Sequence, residues 1–338
     1  MPGIKAVSDT TIARQFWIQS IGHGEILSAD LPPKRDDEVR VRALYSGISR
    51  GTESLVFNGE VPPSQYESMR APFQEGAFPV PVKYGYTSVG RVEEGPEALR
   101  GRTVFCLYPH QDVYCVPANA VTPIPDSVPA ERGVLSANMQ TAINAVWDAG
   151  PSVGDRIVVI GAGVVGLLIA WLCRQIPGAR VSVVDVEPAR ESIAKALGIR
   201  FLTEPPAGAD ADLVVHASGN PAGLVSALSV AGMEATIVDV SWYGSATVSL
   251  PLGEAFHSRR LTVKSSQVSR VPPGRTPRWS HQRRAQLAVQ LLADDALDLL
   301  ITGESPFDEL PDVMARLSRE PAGVLCHRIR YATRSVAP

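Results

Sequence analysis

The sequence predicts an α/β protein in two parts: an irregular, mostly β domain followed by a doubly wound parallel sheet. Three observations carry this. Residues 1–135 are rich in short alternating apolar runs broken by Pro and Gly. From Ala137 onward strand-like and helix-like patterns take turns. The first such alternation contains a glycine turn, Gly161-Ala162-Gly163-Val164-Val165-Gly166, between an apolar strand and an apolar helix. A length of 338 residues with 45% hydrophobic content accommodates two domains with sizeable cores.

In chain order, "DEVRVRALYSG", "TSVGRVEEG", "RTVFCLYP" and "VYCVPANAVTPIP" read as strands of the first part. "ANMQTAINAVWDAG" has helical spacing. "RIVVIG" is then a strand and "GVVGLLIAWLCRQI" a helix; "RVSVVDV" is a strand and "PARESIAKAL" a helix opened by Pro188. "ADLVVHASG", "EATIVDVSW" and "LTVKSS" read as further strands, and "SHQRRAQLAVQLLAD" as a helix. The end, "PFDELPDVMARLS" then "AGVLCHRIRY", reads as a helix and a strand that return to the first part. The expected divisions are 1–135, 136–298 and 299–338.

Composition removes several function classes. A net charge of −3, with no basic stripe interleaved with aromatics, argues against a nucleic-acid partner. The pairs Arg259–Arg260 and Arg283–Arg284 read as solvated faces. "MPGIKAVSDTTIARQFW" has no basic segment followed by an apolar core, so no secretory signal is expected. The uncharged run Ile157–Cys173 is broken by glycines and preceded by Asp155 and Arg156; it reads as strand, turn and helix rather than a membrane span. Cys106, Cys115, Cys173 and Cys326 form no CxxC pair, as expected of reduced thiols in a cytoplasmic protein.

The glycine turn carries chemistry. Gly161 permits the tight turn, Gly163 lets a pyrophosphate approach backbone N–H groups, and Gly166 lets helix and strand pack closely. Val164 and Val165 open the helix behind it. Asp185 closes the next strand about 20 residues on, where a carboxylate accepts hydrogen bonds from the adenosine ribose and repels a 2′-phosphate. The turn thus reads as a Rossmann dinucleotide site favouring NAD(H) over NADP(H), with Arg190 as the residue that would admit a phosphate.

The order of parts, with "SGISRGTE", "PVKYGYTSVGRV", "ANMQTAINAV", "VVIGAGVVG" and "LITGESPF", resembles the medium-chain dehydrogenase/reductase superfamily across nearly the whole chain. The resemblance implies a GroES-like β domain, a Rossmann domain, and a terminal segment returning to the first. "SGISRGTE" most resembles the zinc-less branch that contains the bacteriochlorophyllide hydroxyethyl dehydrogenase. The superfamily's three catalytic zinc positions fall on Ser49 (or Arg50), Tyr86 and Ala137, and its four-cysteine lobe is missing, so no zinc is expected. The six histidines show no HxxxH or HxH spacing.

Without zinc, hydrogen-bond donors and a general base must serve the reacting oxygen. By resemblance, Tyr86 and Ser49 replace ligands, Thr52 matches a proton-passing hydroxyl, and Glu53 is either a base or a loop anchor. Lys83 reads as surface. On the cofactor side the resemblance places Thr141 beside the nicotinamide, Val240 and Ser241 at its carboxamide, "SSQ" (Ser265, Ser266, Gln267) near the same ring, and Ser218 with Gly219 toward the adenosine. Trp242 and Tyr243 are read as pocket walls. The long stretch "FNGEVPPSQYESMRAPFQEGAFPVPV" is read as the specificity loop, with Tyr66, Arg70 and Phe73 as candidate substrate contacts. The leading expectation is a zinc-independent, NAD(H)-dependent oxidoreductase of a secondary alcohol and its ketone, a homodimer acting on a small molecule. An NADPH-dependent enoyl or quinone reductase and a non-catalytic dinucleotide-binding protein remain as alternatives.

Overall fold

In a computed structural model of the protein, residues 11–208, 210–320 and 323–332 are described. Residues 1–10, where most of the expectation about a secretory signal rests, lie outside them. The chain opens with the antiparallel pair β1 (Ile12–Ser20) and β2 (His23–Asp30). β3 (Glu38–Ile48) leads into a short helix, α1 (Thr52–Phe57), and then the small strands β4 (Glu75–Gly76) and β5 (Val82–Lys83). β6 (Ser88–Glu94), β7 (Thr103–Cys106), β8 (Val113–Pro117) and β9 (Val121–Pro123) follow. β3 is the spine of this part: its alternating residues Val39, Val41 and Ala43 are buried, and it pairs antiparallel with both β6 and β8.

α2 (Ser136–Ala149) then crosses to a six-stranded sheet, ending on Gly150 in the left-handed region at φ 63°. That sheet is built from β10 (Arg156–Ile160), α3 (Val164–Cys173), β11 (Arg180–Val184), α4 (Glu191–Ala196), β12 (Arg200–Leu202), β13 (Ala211–His216), α5 (Pro221–Val230), β14 (Ala231–Asp239) and β15 (Thr262–Ser265). Its order is β12-β11-β10-β13-β14-β15, and all five pairings are parallel. This is the doubly wound order, and the reversal of strand order between β10 and β13 opens a crevice above their carboxyl ends. The apolar run 157–173 divides into strand, glycine turn and a ten-residue helix. Among the described residues no helix is long and apolar enough to cross a membrane. The helix expected from Pro188 begins as a 3₁₀ turn, Pro188–Arg190, before α4 takes over.

α6 (His281–Leu291), capped by Ser280 Oγ accepting from the Arg283 N–H at 3.1 Å, packs on α2. The chain then makes β16 (Ile301–Pro306), α7 (Leu310–Arg319) and β17 (Cys326–Arg330). β17 pairs parallel with β16 and antiparallel with β3, so the sheet reads β16-β17-β3-β6-β7-β9. The last strand therefore lies beside the third. One apolar cluster runs through both parts, from Val89 and Phe105 through Leu135 and Met139 to Ile157 and Leu167. The four cysteines stand unpaired, three of them buried.

Two charged residues depart from expectation. Lys83 is 1% exposed rather than on the surface, and its Nζ donates to Gln15 Oε1 (3.0 Å), Gln111 Oε1 (2.8 Å) and Glu75. Three acceptors match the three donors of an ammonium group, which is what permits its burial. Within the pair Arg283–Arg284, Arg283 lies over the Trp279 ring at 4.1 Å, but Arg284 is buried on the inner face of α6. Neighbours in a helix point about 100° apart, so a basic pair need not share one face.

Candidate active site

The crevice above β10 is shaped by its glycines. Gly161 sits at φ +107°, and a Cβ there would lie 2.7 Å from the Ser218 nitrogen, so the position demands glycine twice over. A Cβ at Gly166 would run into the Gly161 carbonyl oxygen. Gly163 has open space where its Cβ would be, and it precedes α3 with no side-chain cap. The first-turn amides at Val164 and Val165 thus face a cradle suited to a pyrophosphate.

Asp185 follows β11 with both carboxylate oxygens hydrogen-bonded and acceptor capacity left on Oδ1. Oδ2 accepts from the Ala162 N–H (2.6 Å) and from Arg190 Nη1 (2.6 Å), and Oδ1 accepts from the Glu187 N–H (2.9 Å). It thereby ties the glycine turn to Arg190, whose buried Nε is without a partner. Arg50 is close enough to feel both charges; burial first, then Arg190, lowers its pKa. Its Nη1 donates to the Val324 carbonyl at 2.7 Å. Nothing in the local sequence brings Arg50 to this place.

On the other side of the switch, His216 is fully buried at the end of β13. Its Nε2 meets Ser218 Oγ (2.7 Å), and its Nδ1 meets Asp239 Oδ1 (2.9 Å), Ser241 Oγ (3.2 Å) and the Tyr243 hydroxyl (3.2 Å). Burial alone would raise the Asp239 pKa, but His216, the Ser241 N–H and Tyr243 outweigh it and hold the carboxyl below its usual range. This knot fixes the loops bearing Ser218 and Ser241, which were expected near the cofactor. Tyr243 is spent on it through a 2.9 Å bond to Asp239 rather than walling the pocket.

Between the crevice and the β domain lies a cavity of about 750 Å³. Thr52, Tyr86, Ala137, Thr141, Val240, Trp242, Ser266 and Gln267 line it, together with Arg70 from the long loop. Thr141 Oγ1 donates to the Ala137 carbonyl at 3.2 Å, one turn back along α2. Ser266 Oγ donates to Asp148 at 2.6 Å. The Tyr86 hydroxyl donates to Ser49 Oγ and is also bonded to Thr52. Burial, with the Glu53 charge adding to it, pushes its pKa up to about 12, so it is a protonated donor at neutral pH.

Glu53 resolves as an anchor. It is 2% exposed; Oε1 accepts from the Ser49 N–H at 2.9 Å and Oε2 meets His110 Nε2 at 2.9 Å. His110 Nδ1 in turn meets Ser46 Oγ (2.7 Å), which meets the Tyr331 hydroxyl (3.0 Å). Glu53 and Ser49 do not line the cavity; Ser49 reaches it through Tyr86. Two candidate substrate contacts also lie elsewhere. Tyr66 packs on Phe78, centroids 5.7 Å apart, and Phe73 packs on Tyr108 at 5.4 Å. An aromatic side chain in a loop found a hydrophobic neighbour, which pattern reading cannot distinguish from a ligand contact. Arg70 does reach the cavity, held by the Gly76 and Gln74 carbonyls (3.4 and 3.2 Å). Sequence reading missed His110, His216, Gln140 and Arg284.

The zinc implied by the sequence resemblance does not fit these residues. Ser49 and Tyr86 hydrogen-bond to one another, and Ala137 has no ligand atom. A neutral hydroxyl pair does not match the nitrogen and sulfur donors of a tetrahedral zinc site. Among the described residues no three His, Cys, Asp or Glu converge in a metal-binding group.

No family model matches the chain. It is 27% identical over 231 residues to an uncharacterized zinc-type alcohol dehydrogenase-like protein of Haemophilus influenzae, covering 64% of this chain and 63% of that protein. The match thus spans less than two thirds of that relative. D-guloside 3-dehydrogenase of Escherichia coli is 25% identical over 303 residues, 79% of this chain and 86% of the relative. Among solved structures, a zinc-binding dehydrogenase of Sinorhizobium meliloti bound to NADP superposes with a TM-score of 0.74 at 18% identity, covering 95% of this chain and 99% of that one. An E. coli alcohol dehydrogenase complexed with NADH gives 0.73 at 19%, over 94% and 99%. The fold is that of a GroES-like domain joined to a Rossmann domain. In sequence the chain is thus similar to zinc-type alcohol dehydrogenase-like proteins and sugar or polyol dehydrogenases, and in fold to solved dehydrogenase structures.

The anchoring of Glu53 has a measurable consequence. Glu53→Gln keeps the volume but removes the charge that His110 and the Ser49 N–H share, and such a loss in a buried site costs about 2 kcal/mol or more. A thermal melt is expected to fall by several degrees while NADH titration stays near the parent value. An unchanged melt with turnover abolished would instead make Glu53 the base.

Proposed function

We propose that the protein is a zinc-independent, NAD(H)-dependent oxidoreductase interconverting a secondary alcohol and a ketone. The observation that carries this is the Tyr86 hydroxyl, bonded to Ser49 and Thr52 at the cavity wall where the superfamily's metal would stand. The names of the relatives, among them D-guloside 3-dehydrogenase and sorbitol dehydrogenase, support the reaction class.

A bound nicotinamide supplies the acceptor or donor of hydride. The protein's own residues do the rest. Tyr86, protonated at neutral pH, turns its one O–H from Ser49 Oγ to the substrate oxygen, with the Ser49 hydroxyl donating to it in exchange, and stabilises the charge that develops there. Thr52, beside it on the cavity wall, relays the hydroxyl proton, giving its own to solvent water at the cavity mouth as it takes the substrate's, and the reverse in reduction. Thr141, Val240 and Ser266 shape the ring's seat, and Trp242 helps exclude water. Ser49 orients Tyr86, itself held through the Glu53 anchor.

Asp185 supports the NAD(H) reading, because a carboxylate following β11 suits ribose hydroxyls and repels a 2′-phosphate. The paired Arg190, with Arg50 nearby, favours the second reading, NADP(H). The dimer reading rests on β15, which pairs with β14 alone and leaves its other edge open at the rim of the sheet.

Tyr86→Phe and Thr52→Val are each expected to lower turnover about 10²-fold with NADH affinity unchanged, and a strong chelator to leave activity of the parent intact. Normal turnover in both variants, or one zinc held per chain by elemental analysis, would sink this mechanism. For the cofactor, NADH is expected to bind more tightly than NADPH, with Asp185→Ser narrowing the gap and Arg190→Ala widening it; isothermal titration reads both, and tighter NADPH binding by the parent overturns the assignment. Sedimentation is expected to give twice the 36.2 kDa chain mass, and a monomer at micromolar concentration excludes the dimer.

A further inference from the structure

Two buried polar atoms in side chains of the cavity wall, Arg284 Nε and Gln140 Nε2, have no hydrogen-bond partner. Arg284 projects from α6, is 3% exposed, and has an Nε without a partner; its Nη1 donates to Asn144 Oδ1 at 2.6 Å. Gln140 on α2 is 4% exposed, and its amide Nε2 has no partner either. Residues 140 and 144 are one helical turn apart, so the orphaned amide stands on the same face as the residue that holds the guanidinium. Both side chains line the active-site cavity.

Arg132 is a control within the same molecule. It is equally buried, at 4%, yet binds Asp298 through two bonds of 2.7 Å and two backbone carbonyls besides. Arg284 has no such counter-charge: among the described residues it forms no ion pair, and no Asp or Glu lines the cavity. The nearest carboxylate in its network, Asp148, is reached only through Asn144, whose Nδ2 donates to it at 3.2 Å. Burial pulls the Arg284 pKa down to about 10, which leaves it cationic at neutral pH. A buried cation without a partner is costly unless a ligand completes it. The remaining basic groups at the wall, Arg70 and His281, are already spent on the Gly76, Gln74 and Ser269 carbonyls.

We infer that the substrate carries a carboxylate, seated on the free edge of the Arg284 guanidinium and the Gln140 amide, at a distance from the carbon that reacts beside Tyr86. This deepens the alcohol–ketone reading and rests on it for the reacting end only. A guanidinium edge and an amide N–H₂ together offer the parallel donors that a carboxylate accepts. Arg284 is the buried cation of a wall that also carries Arg70, His281 and uncharged polar groups, and with Tyr84, Tyr86, Phe105, Leu107 and Trp242 around the same cavity it suits an anion with an apolar body.

The test uses the full chain loaded with NADH and three oxo acids of increasing length, 4-oxopentanoate, 5-oxohexanoate and 6-oxoheptanoate, each against its own methyl ester. Binding is read by thermal shift and by NADH fluorescence, independently of turnover. At least one acid is expected to bind about tenfold or more tightly than its ester. Arg284→Met is expected to erase that preference and leave NADH affinity in place, and Arg284→Lys to restore part of it. Gln140→Leu, which removes a group that bonds nothing in the free protein, guards against a folding artefact and is expected to reduce the preference at an unchanged melting temperature. No acid preferred over its ester at any length overturns the inference, as does a preference that survives Arg284→Met. Loss of NADH binding in both the Arg284→Met and Gln140→Leu variants assigns these donors to the nicotinamide carboxamide and overturns it too. Tight acid binding with no NADH consumed leaves the inference standing and removes the ketone reading; equal consumption with acids and esters does the reverse.

Discussion

The buried Glu53–His110 pair is the constraint from which the reacting end of the cavity takes its form. A carboxylate at 2% exposure is tolerable only when its oxygens are occupied, and both are, by the Ser49 N–H and by His110. His110 passes the restraint to Ser46 at the end of β3, and Ser46 to Tyr331 just past β17. Three separate stretches of chain are thus locked into one network. Only with the Ser49 backbone held there does its hydroxyl meet Tyr86, and only then does Tyr86 face the cavity beside Thr52.

The pattern of parts was legible because its signals are local. The parallel strands announce themselves as apolar runs, the glycine turn occupies a few adjacent residues, and the right-handed crossovers leave few ways to order the sheet. The crevice above the glycine turn was legible for the same reason. The reacting end was not, since the partners of its network lie 57, 64 and 285 positions apart in sequence. Lys83 and Arg284 were misread by residue type. A charged side chain is assumed to be solvated until its partners are known, and theirs come from other elements: Gln15, Gln111 and Glu75 for the one, Asn144 for the other. Tyr66 and Phe73 erred in the opposite direction, since loop aromatics that looked available had already found neighbours.

At Ser49, Tyr86 and Ala137, the positions where the sequence resemblance implies a metal, the side chains offer hydroxyl chemistry and space. A Lewis acid polarises a carbonyl without regard to proton inventory, whereas a hydroxyl donor works only while it keeps its proton. The buried setting that raises the Tyr86 pKa therefore suits the task proposed for it. The small side chain at Ala137 leaves one end of the cavity open, and the orphaned donors at Gln140 and Arg284 lie further along the same helical wall.

The pairing of β17 with β3 also orders events during synthesis. All strands of the parallel sheet have left the ribosome by residue 265, and that sheet can close on contacts already made. The β domain begins the chain but is finished last, because β3 waits for a neighbour some 280 residues downstream and Ser46 waits for Tyr331. Until then β3 keeps an unfilled edge where β17 will lie, and α1 lacks α7 to pack against. A nascent chain stalled after its cofactor-binding sheet would hold a folded nucleotide crevice beside an unclosed reaction site, and the exposed strand edge is where chaperones would be needed.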